Sequence, residues 1–464
     1  MNIVPRPKKF QENGTITVLP QFETEGEKLI FCKKAFMRMV KKLYNIHLRD
    51  GNEGFLLCFK ESVPEDGYEL DGKIVYASSC EGARYGLATL LQIMEPNEDE
   101  SFTVRNTKIS EKPDKDFRAF CSDLARAWHP VETLIDYVDL CYINKIKYLQ
   151  LHFTDDESWT LPFDCFPNAA TPGRCYTKQE IAFLVEYANE AGIELIPEFE
   201  GIGHSSALIK SYPDVFGNEF IEEPDYVDNI MCIGRPDIFD NVKAFLTEMC
   251  EIFKYSKYIH VGCDEARYFK WDNCRLCKAY MEKNGIENSL ALYSHFVKII
   301  TDMCLSLGRK PIVWEGFPKE GSEGISREVI VAEFESYYQL APELIEQGFR
   351  VINASWKPLY IVHPIHAADR QWKVIEENYT VYTWQNCVEK SPATKAPIVV
   401  EPTDMVPGGM LCQWECSPRL EKGQLLVNLP MAADRFWNEK DFYGKDEFED
   451  NCKKLRKMQK KLAD

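Results

Sequence analysis

The sequence predicts an α/β protein in which a (β/α)₈ (TIM) barrel follows a small N-terminal α/β domain. The chain has 464 residues, of which 45% are hydrophobic, and this is enough for a large barrel and a second core. Beyond residue 105, eight apolar segments alternate with helical patterns, and eight is the strand number of such a barrel. A doubly wound open sheet is the alternative, but no G-x-G-x-x-G motif follows the first of these segments.

The small domain is predicted to cover residues 1–105. Its apolar segments 28–32 and 54–60 are predicted strands, and residues 35–46 and 79–94 are predicted helices. The polar stretch EPNEDES, residues 95–101, indicates a domain boundary. The second domain, with its C-terminal helices, is therefore predicted to cover residues 106–464.

The predicted barrel strands are mostly continuous apolar runs, which are typical of parallel strands covered on both faces. A helix between the second and third strands is marked by a capping box of Thr177 and Glu180 and by Gly192 at its end. The eight predicted strands are residues 117–124, 147–154, 193–200, 258–265, 311–317, 329–335, 349–356 and 409–416.

Charge and cysteine content restrict the partners and the compartment. A net charge of -18 argues against nucleic acid or an anionic membrane as a partner. The sequence lacks an apolar run of about 18 residues, so no membrane insertion is expected, and its N-terminus does not resemble a signal peptide. Seventeen cysteines, several of them in predicted core segments, favour a reducing compartment. We expect a cytoplasmic protein, unless a leader has been removed.

The carboxyl ends of the predicted strands carry acids, histidine and aromatic residues. In a (β/α)₈ barrel these ends form the active site. Aromatic faces pack on the C–H surfaces of sugars while carboxylates and arginines bind hydroxyl groups, so this composition predicts a sugar pocket. His152 alternates with apolar neighbours and is predicted to be structural. The strand-end residues are Asp123, Arg126, Asp155, Asp156, His204, Asp264, Glu265, Trp314, Glu315, Trp356, Tyr360, Trp414 and Glu415.

Two of these acids, Asp264 and Glu265, are adjacent. An ordinary retaining glycosidase places an acid and a nucleophile about 5 Å apart, on opposite sides of the anomeric carbon. Consecutive residues that leave one strand straddle that carbon poorly. A substrate whose 2-acetamido oxygen attacks C1 removes this difficulty, because one carboxyl can then protonate the leaving oxygen while its neighbour holds the acetamido nitrogen. We take this as a hypothesis from geometry.

Four segments of the chain resemble glycoside hydrolase family 20, the β-N-acetylhexosaminidases. HVGCDE, from His260 to Glu265, matches the family's His-x-Gly-x-Asp-Glu signature on strand four. The other three are FRAFCSDLAR on strand one, NKIKYLQLHFTDDESW on strand two and IPEFEGIGH on strand three. The small N-terminal domain is also usual in that family, so the resemblance covers nearly the whole chain.

The resemblance implies a retaining, substrate-assisted mechanism through an oxazoline intermediate, with no cofactor and no metal. Glu265 would be the general acid/base, and Asp264 would orient and stabilise the acetamido group. Asp155 and His204 would form a polar relay to Glu265. Substrate binding would fall to Arg118, Asp155, His204, Trp314, Tyr360, Trp414 and Glu415.

The chain departs from the family pattern where the far side of the sugar would bind. Val362 stands where a hydroxyl-binding acid is usual, and the terminal acid Glu415 comes one position early, with Cys416 in its place. Glu333 or Phe334 replaces a tryptophan of strand six. These changes affect the contacts to O4 and O6, so the preference between GlcNAc and GalNAc stays open.

Three functions remain in view. The first is exo-acting removal of terminal β-linked GlcNAc or GalNAc from oligosaccharides or glycoconjugates. A second enzyme of this family type would release a disaccharide such as lacto-N-biose. The third is a sugar-binding barrel that has lost catalysis. The sequence leaves open whether the chain forms a homodimer.

Cysteine spacing raises one further question. Cys274-x-x-Cys277, with Cys263 upstream, has the spacing of half a zinc site. No second pair follows at metal-binding spacing, so free thiols are expected.

Overall fold

The computed structural model describes residues 2–222, 228–362, 373–376, 378–384 and 397–463. These residues form an N-terminal α/β domain that packs against one end and side of a closed parallel barrel. The predicted fold class is confirmed. Among the described helices, none offers an apolar stretch long enough to cross a bilayer.

The N-terminal domain is built on one mixed sheet, with strand order β1-β8-β5-β6-β4-β2-β3 and β7 paired to β8. Two helices, Ile30–Tyr44 and Cys80–Ile93, lie between this sheet and the barrel helices and contact both. The strands are β1 (Phe10–Val18), β2 (Gln21–Glu25), β3 (Arg49–Asp50), β4 (Phe55–Phe59), β5 (Tyr68–Asp71), β6 (Ile74–Ala77), β7 (Met94–Pro96) and β8 (Phe102–Glu111).

Two sequence predictions for this domain need correction. Residues 28–32 are not a strand, because the helix Ile30–Tyr44 begins there and buries Cys32, Phe36 and Met39 on one face at helical spacing. The boundary after residue 105 falls inside β8, whose pairing with β1 and β5 extends to residues 109–111. The domain therefore ends after β8 and before the first barrel strand, which begins at Phe117.

All eight predicted barrel strands are present, each somewhat shorter than predicted. The ring closes because the last strand pairs with the first, Gly408 opposite Phe117, and also with the seventh, Gly409 opposite Asn353. A short extra strand, β16 (Tyr360–Val362), runs beside the end of the last strand. The barrel strands are β9 (Phe117–Asp123), β10 (Tyr148–His152), β11 (Glu194–Glu198), β12 (Tyr258–His260), β13 (Lys310–Trp314), β14 (Ile330–Glu333), β15 (Arg350–Asn353) and β19 (Gly408–Trp414).

Helices surround the barrel and extend beyond its last strand. The capping box of Thr177 and Glu180 is present, and Gly192 ends that helix with a φ of 68°. A two-stranded hairpin of β17 (Thr383–Trp384) and β18 (Ile398–Val399), which the sequence did not predict, precedes β19. The helices of this part are Val131–Ile143, Lys178–Ala191, Ser206–Ser211, Pro213–Phe216, Ile238–Ile252, Arg275–Asn284, Ser289–Ser306, Ala341–Glu346, Trp356–Leu359, Lys373–Glu376, Pro418–Trp437 and Lys445–Ala463.

Buried charges connect the two domains at the amino end of the barrel. Lys145, just before β10, is fully buried, and its Nζ lies 3.0 Å from Glu111 Oε1 and 3.0 Å from the Tyr68 hydroxyl. Arg84 of the N-terminal domain donates from Nη1 to the carbonyl oxygen of Ile146 at 2.9 Å. Since a buried charge is costly unless it is paired, these contacts fix how the small domain sits on the barrel.

Candidate active site

A sharp turn at the end of β12 brings Asp264 and Glu265 to the mouth of the barrel. The strand ends at His260, and Gly262, Cys263 and Glu265 then have positive φ angles of 58°, 71° and 45°. A Cβ on Gly262 would lie 2.0 Å from a carboxylate oxygen of Glu200, so only glycine fits there. The predicted strand 258–265 is therefore shorter than expected, because its second half is this turn.

The turn opens into a pocket of about 200 Å³ at the carboxyl end of the strands. The side chains that line it come from the ends of most barrel strands, as expected for a (β/α)₈ barrel. They are Arg126, His152, Glu200, His204, Asp264, Glu265, Phe334, Trp356, Tyr360, Val362, Trp414 and Glu415.

Six of the predicted site residues line this pocket, namely His204, Asp264, Glu265, Tyr360, Trp414 and Glu415. Two others lie directly beneath it. Asp155 is buried against His204, and Trp314 packs under the pocket with its ring centroid 5.8 Å from that of Trp414. The structure thus brings eight of the nine predicted residues together.

The ninth, Arg118, is a correction. It lies near the amino end of β9, fully buried, and faces the N-terminal domain. Its guanidinium donates to the Tyr85 hydroxyl, to the carbonyl oxygen of Lys115 and, at 3.3 Å, to that of Lys145. It also lies 5.2 Å from the ring centroid of Trp437. These contacts hold the two domains together and leave Arg118 outside the pocket.

Arg126 is the arginine of the pocket. It follows the end of β9, and its Nη2 lies 2.6 Å from Asp155 Oδ2 while its guanidinium carbon lies 5.4 Å from the Trp414 ring centroid. Burial alone would lower the pKa of Arg126, but the charges of Asp155 and Asp123 outweigh it and raise this pKa above its ordinary value. The sequence analysis placed Arg126 among the strand-end residues but assigned substrate binding to Arg118 instead.

His204 connects Asp155 to the two adjacent acids. Its Nδ1 lies 3.3 Å from Asp155 Oδ1, and its Nε2 lies 3.4 Å from Glu265 Oε2 and 3.8 Å from Asp264 Oδ2. Burial alone would lower the pKa of His204, but hydrogen bonds to Asp155, Asp156 and Glu265 raise it well above its ordinary value. These contacts favour the charged imidazole, and His204 lies between Asp155 and Glu265, the position that the predicted relay requires.

The two adjacent acids occupy different depths. The side chain of Glu265 is 48% exposed at the rim, whereas that of Asp264 is only 14% exposed. Burial raises the pKa of Asp264 to about 7; His204 opposes this shift, and Glu265 and Glu198 add to it. Within the described part of the chain, the buried Oδ1 of Asp264 has no hydrogen-bond partner. An N–H group of a ligand in the pocket would supply one.

A second buried acid, Glu200, lies behind Asp264 and was not identified from the sequence as part of the site. Burial and the charge of Asp264 raise its pKa well above its ordinary value, with His204 opposing. Its Oε2 is also without a hydrogen-bond partner among the described residues. The end of β11 therefore contributes a carboxyl as well as His204.

His152, predicted to be structural, both lines the pocket and connects two acids. Its Nε2 lies 2.8 Å from Asp155 Oδ2, and its Nδ1 lies 3.0 Å from Glu198 Oε2. Glu198 also accepts hydrogen bonds from the Trp314 indole at 2.6 Å and from Gln150 at 2.9 Å. The pocket floor thus consists of hydrogen-bonded groups whose positions are fixed.

Aromatic rings form one wall of the pocket. Tyr360 and Phe334 are stacked with centroids 5.7 Å apart and planes 6° apart, and Trp356 and Trp414 lie 5.3 Å and 5.8 Å from Tyr360. Phe334, and not Glu333, is therefore the strand-six residue that faces the pocket. Glu333 is fully buried and accepts a hydrogen bond from Ser336.

Two departures from the family pattern, Val362 and Glu415, line the pocket beside Trp414. Val362 lines the pocket with an apolar side chain, and Glu415 lines it on a backbone with a φ of 58° whose N–H donates to Asp123 Oδ2 at 3.1 Å. Cys416 points away and is buried, with its Sγ 3.9 Å from Gln424 Oε1. Glu415 is therefore the acid that this chain presents where the family pattern has one a residue later.

Two groups of side chains in the site could hold a metal ion by distance alone. In each group three ligand atoms lie within 4.8 Å of one another: His152, Glu198 and Glu200 in one, and Asp155, Asp156 and His204 in the other. Both groups are acid–histidine pairs, and Asp155 is also paired with Arg126 at 2.6 Å. These contacts account for the carboxylate of Asp155 without an ion.

A (β/α)₈ barrel with two adjacent acids, a histidine between acids and aromatic walls at its mouth is typical of glycosidase barrels. Residues 116–440 match the model of the glycosyl hydrolase family 20 catalytic domain. The chain belongs to glycoside hydrolase family 20, and the resemblance seen in its motifs is confirmed.

Several curated relatives carry the name β-hexosaminidase. The protein from Porphyromonas gingivalis is 29% identical over 361 residues, which cover 68% of this chain and 45% of that protein. The one from Vibrio furnissii is 28% identical over 302 residues, covering 60% of this chain and 49% of that protein. The chain thus matches about half the length of these two relatives.

Solved structures share the fold. A family 20 exo-β-N-acetylglucosaminidase from Vibrio harveyi, in complex with N-acetylglucosamine, superimposes with a TM-score of 0.82 at 21% identity, covering 99% of this chain and 77% of that one. A β-N-acetylhexosaminidase from Bacteroides fragilis gives 0.79 at 20% identity, covering 97% of this chain and 93% of that one. The likeness includes the N-terminal domain.

The position of Arg118 predicts a loss of stability on replacement. Arg118→Met removes several buried hydrogen bonds from a charged group, so the free energy of unfolding should fall by about 2–4 kcal/mol. Urea unfolding measures it, with Lys108→Met as the control, because Lys108 pairs with Asp71 on the exposed surface and should change stability by less than about 1 kcal/mol. Equal effects of the two substitutions would contradict the assignment.

The burial of Asp264 predicts that the free energy of unfolding depends on pH. Because its native pKa of about 7 exceeds that of an unfolded aspartate, the native state holds the extra proton between about pH 4 and 7, and stability falls as pH rises through this window. Asp264→Asn cannot ionise, so it should match the wild type near pH 4 and exceed it at pH 8 by at most about 4 kcal/mol. Melting temperatures at both pH values test this, and a wild type that is the more stable at pH 8 would contradict it.

Proposed function

We propose that this protein is an exo-acting, retaining β-N-acetylhexosaminidase that uses the 2-acetamido group of its substrate as the nucleophile. The observation that carries the proposal is the arrangement of Asp264 and Glu265. Both leave one strand and enter one pocket. Asp264 lies deep, with an Oδ1 that has no hydrogen-bond partner among the described residues, while Glu265 lies at the rim. This suits one acid that binds a buried N–H and another that faces a departing group.

In the proposed reaction, Asp264 accepts a hydrogen bond from the acetamido N–H and stabilises the charge that develops on that nitrogen. The acetamido oxygen attacks C1, and Glu265 gives its proton to the leaving oxygen, which forms the oxazoline intermediate and breaks the glycosidic bond. A water then attacks C1 while Glu265 takes its proton. Two displacements at C1 leave the product in the β configuration.

The neighbouring residues support these roles. His204 lies within 4 Å of both acids and opposes the burial that raises the pKa of Asp264, which favours the ionised Asp264 that the proposed hydrogen bond requires. Asp155 contacts the other ring nitrogen of His204. Trp414 and Tyr360 offer aromatic faces to the acetamido methyl group, and Trp314 supports them from below. Arg126, beside Asp155, is the cation available to sugar hydroxyls.

The pocket volume favours a single terminal sugar. About 200 Å³, as formed by the described residues, is less than the roughly 300 Å³ at which pockets for drug-sized ligands begin. The disaccharide-releasing alternative would need a second sugar to enter. The names of the relatives, β-hexosaminidase and exo-β-N-acetylglucosaminidase, agree with removal of a terminal N-acetylhexosamine.

Replacement of the proposed acid tests the division of labour. Glu265→Gln should lower kcat by roughly 10²–10⁴ for a substrate with a poor leaving group, because that oxygen must be protonated as it departs. The loss should be smaller for an aryl glycoside whose phenolate leaves without a proton. Equal losses with both substrates would rule out Glu265 as the acid. Wild-type protein that binds GlcNAc and releases no aglycone between pH 4 and 8 would favour a sugar-binding barrel.

The substrate's own nucleophile gives the sharper test. Successive fluorination of the acetyl group weakens its oxygen, so kcat/KM should fall steeply along the series, and a β-glucoside with a hydroxyl at C2 should be turned over negligibly. Glu415 is a further acid that lines the pocket. A covalent sugar ester trapped on Glu415, or a rate that does not respond to fluorination, would overturn the mechanism in favour of an enzymic nucleophile.

A further inference from the structure

Three buried cysteines meet outside the pocket. The Sγ atom of Cys232 lies 3.6 Å from that of Cys274 and 3.6 Å from that of Cys277, and all three sulfurs lie within 4.8 Å of one another. Cys263, the residue considered with this pair from the sequence, is elsewhere, with its Sγ donating to the carbonyl oxygen of Val261 at 3.2 Å. The third cysteine is instead 42 residues before Cys274.

The distances between the sulfurs fit a shared metal ion better than a disulfide. A tetrahedral zinc site with Zn–S bonds of about 2.3 Å separates its sulfurs by about 3.8 Å, close to the observed distances. A disulfide requires about 2.05 Å and would pair only two of the three thiols. A cluster of three buried sulfurs at this spacing is therefore already arranged as one face of a tetrahedron.

We propose that Cys232, Cys274 and Cys277 bind one zinc ion as thiolates. The fourth position falls to an oxygen: the side-chain Oδ1 of Asn218 lies 3.8 Å from Cys277 Sγ, and a water molecule is the alternative ligand. The backbone N–H of Glu219 points at Cys274 Sγ from 3.4 Å, as is usual for a sulfur that carries negative charge. Binding would release the thiol protons to solvent.

The two loops that meet at this cluster are the ones that carry the catalytic candidates. Cys232 belongs to the connection after β11, which also carries His204. Cys274 and Cys277 belong to the connection after β12, which also carries Asp264 and Glu265. The loops are also joined by hydrogen bonds, among them the backbone N–H of Ile221 to the carbonyl oxygen of Asn273 at 2.9 Å and the Trp271 indole to the carbonyl oxygen of Met231 at 2.9 Å. The ion would fasten these loops to each other beside the pocket, as a structural and not a catalytic site.

Metal content tests the proposal without any substrate, so its result is independent of the proposed activity. Protein purified without a metal-affinity step and dialysed after exposure to zinc should hold about one zinc per chain by elemental analysis. Cys232→Ser, Cys274→Ser and Cys277→Ser should each lose most of it. Cys250→Ser, outside the cluster and half-buried, is the matched control and should keep it.

Cobalt exchange in the wild-type protein covers the case in which the variants fail to fold. Co²⁺ should give the visible absorption of a tetrahedral site together with a sulfur-to-cobalt charge-transfer band, and zinc should abolish both. Zinc should also slow the reaction of three thiols with a thiol reagent and raise the melting temperature. Wild-type protein that stays metal-free, or a disulfide between two of the three cysteines by mass spectrometry, would overturn the proposal.

Discussion

The rest of the site depends on the contacts that hold the carboxylate of Glu198, which is buried in the middle of the barrel. An isolated charge there would cost several kcal/mol, and only its partners make it tolerable. Trp314 and Gln150 donate hydrogen bonds to it, and ring nitrogens of His152 and His260 lie 3.0 Å and 3.2 Å away. Burial alone would raise the pKa of Glu198, but the two histidines hold it well below the ordinary value. These contacts connect four adjacent strands, β10 to β13, around Glu198. His152 also contacts Asp155, nearer the pocket.

Above Glu198, the structure places groups that oppose its own stability. Asp264 and Glu200 are buried beside each other with raised pKa values, and the turn that carries Asp264 holds non-glycine residues at positive φ. Backbone of this kind costs about 1–3 kcal/mol per residue and persists only where the surroundings impose it. The ordered layer around Glu198 supplies that constraint. A site that stabilises an ionic transition state is expected to be unfavourable while it is empty.

The sequence predicted the barrel well because its strands are apolar runs flanked by polar ends. It predicted less of the N-terminal sheet, where short strands pair across long separations. It overextended strand four because nothing in HVGCDE distinguishes a strand from a left-handed turn except Gly262. The prediction that Arg118, and not Arg126, binds the substrate was wrong. It rested on the family motif and ignored position along the strand: a residue at the start of a barrel strand lies at the amino end, away from the site. Cys232 could not be assigned from spacing, because only the fold brings it to Cys274.

The buried ion pairs between the domains bear on how such a protein can change over evolution. Lys145 and Arg118 belong to the barrel, yet Glu111, Tyr68 and Tyr85 of the N-terminal sheet and helix satisfy them. A barrel inherited without that neighbour would lose these partners and expose the surface around both cations to water, so this face would have to change before the barrel could stand alone. We therefore expect recombination to move the N-terminal domain and the barrel together, and to vary only the domains attached to this pair. The amino end of the barrel ties the pair together, while the loops at its other end stay free to diversify.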